Sequence, residues 1–415
     1  MKHLTLLTAL LIYITSALAQ QQTIHDTEHL RSLQLIVNKN VLLPPVVELG
    51  KHWNINIGFD EMSHDYHRYR YHIDHCEADW TVSEEIFESD YLEGLNDQLI
   101  EDFDKSFNTV QIYTHHKLML PNEDVHLLLS GNYRVTIYDE DDDEKTPLIT
   151  SEFCILDKKV NLGGEVSGNT DIDFQRDHQQ LSIKMGYGAL RITDPQRELK
   201  TYVTQNRRKD LTIQVQPNIQ NANGIEFNHQ RNLIFPGSNE CHKFELLDVQ
   251  RVNMGVDNMR WYEPYYHATL YEERPTRNYS LEYDQNGAFV MRNSDNEDNE
   301  TMSEYVFIHF RLKTPPLPGG PVYVHGNWAN NWPSDEYKME YDAEVGEYHA
   351  AILLKQGYYD YRFLQIKDGK GTSELTDGNF FQTENEYTVF VYYREPGGRY
   401  DKLVGFAAIK VNSEK

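Results

Sequence analysis

The sequence predicts an all-β protein built as three consecutive β-sandwich domains with a minor helix. Three observations carry that expectation. Short segments alternate between apolar and polar residues along the whole chain, the period of a strand with two different faces. Clusters of Gly, Asn, Asp and Pro separate these segments, as turns do in sandwiches. A helical period occurs only over residues 83–99, where Ile86, Phe87, Tyr91, Leu92 and Leu95 share one face.

Taken in chain order, the first element is an export leader. Lys2 and His3 precede an apolar run over 4–14, and Ala17-Leu18-Ala19 forms a small-residue cleavage site before Gln20. Residues 1–19 are therefore expected to be a cleaved signal peptide. The run is too short to span a bilayer. No cysteine follows the cut, the first being Cys76, so export to the periplasm without a lipid anchor is expected. Removing 19 of 415 residues leaves 396, enough for about two to four domains, each with its own core.

The first domain is expected over 21–158. Tyr69, Tyr71, Ile73 and His75 point one way and Arg70, His72, Asp74 and Cys76 the other, and Tyr133, Val135 and Ile137 oppose Arg134, Thr136 and Tyr138. The acidic run over 139–147 lies between strands. It lacks the glycine at the sixth position that a calcium loop needs, and reads as a solvated hairpin tip. The pattern breaks after Leu156, and a second domain is expected over 159–300, with Leu211, Ile213 and Val215 on one face. The acidic stretch 293–304 marks the start of a third domain over 301–415. There Val306, Ile308, Phe310 and Leu312, then Tyr387, Val389 and Val391, alternate with their neighbours.

A formal charge of −26 opposes nucleic acid and anionic head groups as partners. No stretch after the leader approaches the ~20 apolar residues of a membrane helix, so no direct membrane insertion is expected. Three cysteines, Cys76, Cys154 and Cys241, are an odd number for an oxidising compartment. A Cys76–Cys154 disulfide inside the first domain is one reading, and buried thiols packing as small hydrophobes are the other. His67, His72, His75 with Cys76, and His115-His116 are the metal candidates by residue type. Strand alternation parts His72 from His75, and hydrogen-bonded histidines at strand edges are the expectation, with no metal or cofactor. Nucleophile, Walker and CxxC patterns are absent, so no catalytic residues are expected.

Ordered motifs add a likeness. YHRYRYHIDHCEADW (66–80), YTHHKLMLPN (113–122) and SGNYRVTIYDE (130–140) are followed by TDIDF (170–174), HQQL (178–181), QNRRKD (205–210), FPGSNE (235–240) and YDQNGAF (283–289). VYVHGNW (322–328) and LKQGYYDYRF (354–363) complete the series. Their succession resembles the plug proteins of the type IX secretion system of Bacteroidota, over nearly the whole mature chain. The resemblance implies immunoglobulin-like or early-set sandwiches and a periplasmic non-enzyme. Its partner would be the giant outer-membrane β-barrel translocon, whose periplasmic mouth it seals when no cargo is engaged. The third unit also resembles early-set modules that bind starch and glycogen. This leaves an alternative, a periplasmic or secreted glycan-binding protein in which Trp328 and Trp332 stack on sugar rings. Protein contact, or packing in a core or domain joint, are the other readings of these two tryptophans.

Overall fold

A computed structural model describes residues 22–411. The signal peptide expected over 1–19 lies outside them. The protein is nearly all β, and its strands form three sandwiches.

In the first sandwich one sheet runs in the order Gln22–Ile24, Ile149–Leu156, Gly131–Asp139, Tyr69–Cys76, Gln98–Leu99. Val46–Glu48 adds in parallel to Ile149–Leu156. The facing sheet is Leu30–Val37, Ile55–Glu61, Thr114–Leu120, Asp102–Lys105. Alternation sets the core as expected: Tyr69, Tyr71, Ile73, Tyr133, Val135 and Ile137 are buried and pack on Ile55, Ile57 and Phe59 of the other sheet. The expected helix over 83–99 shrinks to the single turn Glu88–Tyr91. Ile86, Tyr91 and Leu92 are buried, but Phe87 and Leu95 stand in solvent, and Leu92–Gly94 leaves the helix to pair with Val125–Leu127. The apolar spacing matched a helix, yet the cross-strand partner Val125–Leu127 won the backbone.

The second sandwich departs from the expected boundaries. One sheet is Asn161–Ser167, His178–Gly186, Gly224–Phe227, Ile219–Asn221, with Ile234–Pro236 on the same central strand. The other is Ile213–Val215, Leu199–Gln205, Glu386–Tyr393, Lys402–Lys410. The last two strands of the chain thus close the second domain, and Tyr387, Val389, Val391 and Val404 lie in its core. The third sandwich is inserted between Pro236 and Glu386. Its sheets are Val256–Tyr262, Tyr265–Leu270, Tyr305–Leu312, Glu347–Lys355, Glu340–Asp342, and a second sheet centred on Gly357–Lys367 with His242–Leu246 and Phe289–Met291 at one end and Val322–His325 at the other. The expected break at 300/301 falls inside this domain, and 386–410 belongs to the previous one. Alternation marks which face of a strand is buried, but it carries no information on which strand will be its neighbour.

Candidate functional site

Each sandwich is fastened to the other two, and the motifs of the first domain supply most of the fasteners. Between the first and second domains, Cys76, Ala78, Trp80, Cys154 and Leu156 pack against Tyr202, Phe390, Tyr392 and Leu403. Asn132 sits at the centre of that joint: its Oδ1 accepts from Tyr392 OH at 2.7 Å and from the Cys154 thiol at 3.1 Å, while its Nδ2 donates to Glu77 O at 2.7 Å. Asp401 reaches back to accept from Ala78 N at 3.1 Å, Lys200 Nζ at 2.7 Å and Arg394 Nε at 2.9 Å.

The joint between the first and third domains is ionic and buried. Asp60 and Lys355 are both fully buried, with Nζ 2.7 Å from the carboxylate. Asp60 also accepts from Tyr305 OH at 2.6 Å and pairs with His115 Nδ1 at 2.6 Å. Lys355 lies 4.1 Å from the centre of the Tyr113 ring and donates to Glu300 O. Burial alone would raise the Asp60 carboxyl, but the Lys355 ammonium and His115 outweigh it and hold it below the usual range. Glu304 of the third domain accepts from the backbone of Val110 and Gln111 of the first.

The second and third domains share a double crossing, where the chain leaves near Gly237 and returns near Asn385. Phe380 N donates to Ser238 O at 2.8 Å and Asn385 Nδ2 to Gly237 O at 2.7 Å. A Cβ on Gly237 would lie 2.2 Å from Phe380 O, so the two strands of the crossing touch only because residue 237 is glycine.

The metal-candidate histidines are dispersed over these joints, the cores and the surface. His115 serves Asp60, His116 stacks on Phe59 at 5.1 Å beside Glu61, and His67 pairs with Glu61. His72 bonds Asp97 at 3.0 Å on the outer face, while His75 points inward to Ser83 Oγ at 2.9 Å and Ser130 O at 3.2 Å. Gly131 lets that ring approach: a Cβ there would fall 2.5 Å from His75 Nε2. Burial, opposed by the Ser130 carbonyl and Asp401, pushes His75 down to about 4. An unfolded histidine protonates near pH 6.5 and the native one only near 4, so the unfolded state gains protons first as pH falls. His75 therefore contributes stability above pH 6.5 that is lost between 6.5 and 4, in all ~3 kcal/mol. Urea titrations at pH 7.5 and pH 4.5 should show a larger acid loss for wild type than for His75→Gln; equal losses would contradict this role.

The Cys76–Cys154 disulfide does not form. All three cysteines are buried thiols. Cys76 and Cys154 both face Asn132, one from each neighbouring strand, so they stand two strand spacings apart, ~9–10 Å, beyond the reach of a disulfide. Thiol titration in denaturant should count three thiols with or without prior reduction; a count of one without reduction would refute the assignment.

Trp328 and Trp332 part company. Trp328 is 5% exposed, stacks on Phe310 at 6.1 Å and donates its Nε1–H to Asp360 O at 2.9 Å, all inside the third core. Trp332 is half-buried in the wall of a cleft of about 450 Å³ where all three domains meet. It packs edge-on to His325 at 4.8 Å and under the Arg208 guanidinium at 6.0 Å. They present no common platform.

A surface the sequence reading did not single out lies on the third domain. The hairpin Val256–Tyr262/Tyr265–Leu270 exposes Tyr262, and Tyr265, His267, Phe307 and His309 continue its aromatic face across the sheet, while Trp261 lies on the opposite face against Tyr266. The run of aromatics over 261–267 was its signal in the sequence. A groove lined by Tyr265, Phe307 and Leu353 separates this face from Glu28 and Arg31 of the first domain. Among the described residues, no helix is long and apolar enough to cross a membrane.

Residues 30–157 match the family model described as type 9 secretion system plug protein 1st domain. The match spans the first sandwich from Leu30 to Asp157, including the Asn132 and Asp60 contacts. Over the whole chain, the protein is similar to a hypothetical protein from Parabacteroides merdae ATCC 43184 whose crystal structure is known. The two share 36% identity and a TM-score of 0.90, over 94% of this chain and 99% of that one. No curated protein matches the sequence.

Proposed function

The chain belongs to the type 9 secretion system plug family, and on that premise we propose that it closes the periplasmic mouth of the outer-membrane translocon barrel, without catalysis. Its role lies in type IX secretion, in the periplasm or at the outer membrane. The observation that supports plugging is the three-way fastening of the sandwiches. A barrel of about 36 strands, the largest size known, has an interior of ~60 Å. A compact globule of this length has a radius of gyration of ~21 Å, or ~55 Å across. Three sandwiches on loose linkers would leave gaps that each could swing out of, whereas a body tied at three joints obstructs as one piece.

Docking has to be reversible for cargo to pass, which favours an interface of moderate area with a wet rim. The aromatic face around Tyr262 and Tyr265 has the composition for this, since exposed aromatic clusters mark contact sites. Affinity purification of the protein from native envelopes is expected to recover a very large outer-membrane barrel. The double substitution Tyr262→Ser/Tyr265→Ser should lower that recovery severalfold at unchanged fold. Recovery with no large barrel would refute the plug reading. Full recovery by the double variant would move the contact elsewhere. With Trp328 inside a core, nothing in the geometry favours the glycan reading.

A further inference from the structure

Where the chain passes from the second domain into the third, three potential metal ligands converge. Cys241 directly precedes the entry strand His242–Leu246, Asp284 sits on the long loop before Phe289–Met291, and Asp360 lies mid-strand in Gly357–Lys367. One ligand atom from each lies within 4.8 Å of the other two. Cys241 is 3% exposed and Asp360 0%, while Asp284 is half-buried.

Hydrogen bonding leaves this cluster incomplete. Asp284 Oδ1 accepts from Asn286 N at 2.8 Å and Oδ2 from Cys241 N, so its carboxylate is held over the entry strand. Asp360 Oδ2 accepts from Gln285 N at 2.6 Å, but its Oδ1 has no donor although the residue is wholly buried. Buried polar oxygens are seldom left so, and each such case calls for a ligand or a water. Arg362 is the neighbouring cation. Its Nη2 donates to the Cys241 sulfur at 2.7 Å, and its Nε and Nη1 have no partner.

We propose that Cys241, Asp284 and Asp360 form a structural binding site for a divalent transition-metal cation, zinc by preference. A thiolate with two carboxylates suits zinc rather than calcium or magnesium, which take oxygen ligands only. On binding, the sulfur–metal bond replaces the S–H bond and the thiol proton leaves to solvent. A thiolate, two carboxylates, the Arg362 guanidinium and one divalent cation then sum to neutrality, which a buried site requires. The Arg362 N–H···S contact becomes a bond to a metal thiolate, and orients it. The fourth tetrahedral position falls to solvent beside half-buried Asp284, after a contraction of ~1 Å from the present spacing. The metal would pin the loop carrying Asp284 to the strand by which the third domain begins.

Cobalt titration of the full chain, stripped with EDTA, tests this. A sulfur-to-cobalt charge-transfer band should appear at one equivalent per chain, and zinc should displace it and raise the melting temperature. Cys241→Ser should abolish the band and Cys76→Ser should keep it. Asp284→Asn, at a half-buried loop position, should fold normally and bind about tenfold or more weakly. No band from folded wild type, or an undiminished band in Cys241→Ser, would overturn the proposal.

Discussion

Asp60→Asn is expected to destabilise the protein by about 3–5 kcal/mol, the range for a buried ion pair deprived of one partner. The loss comes from what stays behind. Lys355 is fully buried and keeps the Glu300 carbonyl, the Tyr113 and Tyr305 rings and the more distant Glu300 charge. None of these is a carboxylate bonded to the ammonium. Burial already lowers the Lys355 ammonium, and Asp60 is the first charge opposing that shift. Tyr305 OH and His115 would lose their carboxylate acceptor at the same time. Because these groups span the first and third domains, urea unfolding should show an earlier loss of that joint. Limited proteolysis should cut sooner near 293–304, which packs against it. The double variant Asp60→Asn/Lys355→Met should recover most of the loss, since removing both charges leaves no orphan. A single-variant loss under ~1 kcal/mol would show that the pair is not buried as described.

Trp328→Ala is expected to cost about 3–5 kcal/mol, and Trp332→Ala only about 1 kcal/mol. In sequence the two tryptophans look alike, four residues apart in one turn-rich segment. In the fold Trp328 fills the space between Phe310, Tyr337 and Tyr359, so truncation opens a cavity in the third core. Trp332 stands in the wall of the three-domain cleft, where solvent can enter the space left behind. Thermal unfolding of the two variants in parallel separates the roles. Equal losses would mean that the cleft wall is as tightly packed as the core.

Face assignment was legible residue by residue, because a strand declares its buried side by alternation and needs no partner to do so. Tyr69 to His75, Tyr133 to Ile137 and Val306 to Leu312 all bury the side expected of them. The ordered motifs were legible too, and they identified the family. What they do was not. HCEADW and YTHH read only as hydrogen-bonded residues at strand edges, with no sign of a joint, yet Cys76, Ala78 and Trp80 pack on the second domain and His115 supports the ion pair with the third. The short helix failed for a related reason: Leu92–Gly94 is claimed by Val125–Leu127, which no local spacing announces.

The chain by itself determined its class, its strand faces and its kinship, because these depend on periodicities and short patterns that neighbouring residues enforce on one another. Tertiary structure alone decided the insertion of the third domain into the second, the separation of Cys76 from Cys154 by a strand, and the burial of Lys355 against Asp60. Each of these joins residues far apart in sequence: Leu199 with Tyr393, Cys76 and Cys154 across Asn132, Asp60 with Lys355. Such pairings are selected by how whole sheets fit together, and a local pattern of apolar and polar residues is compatible with many of them.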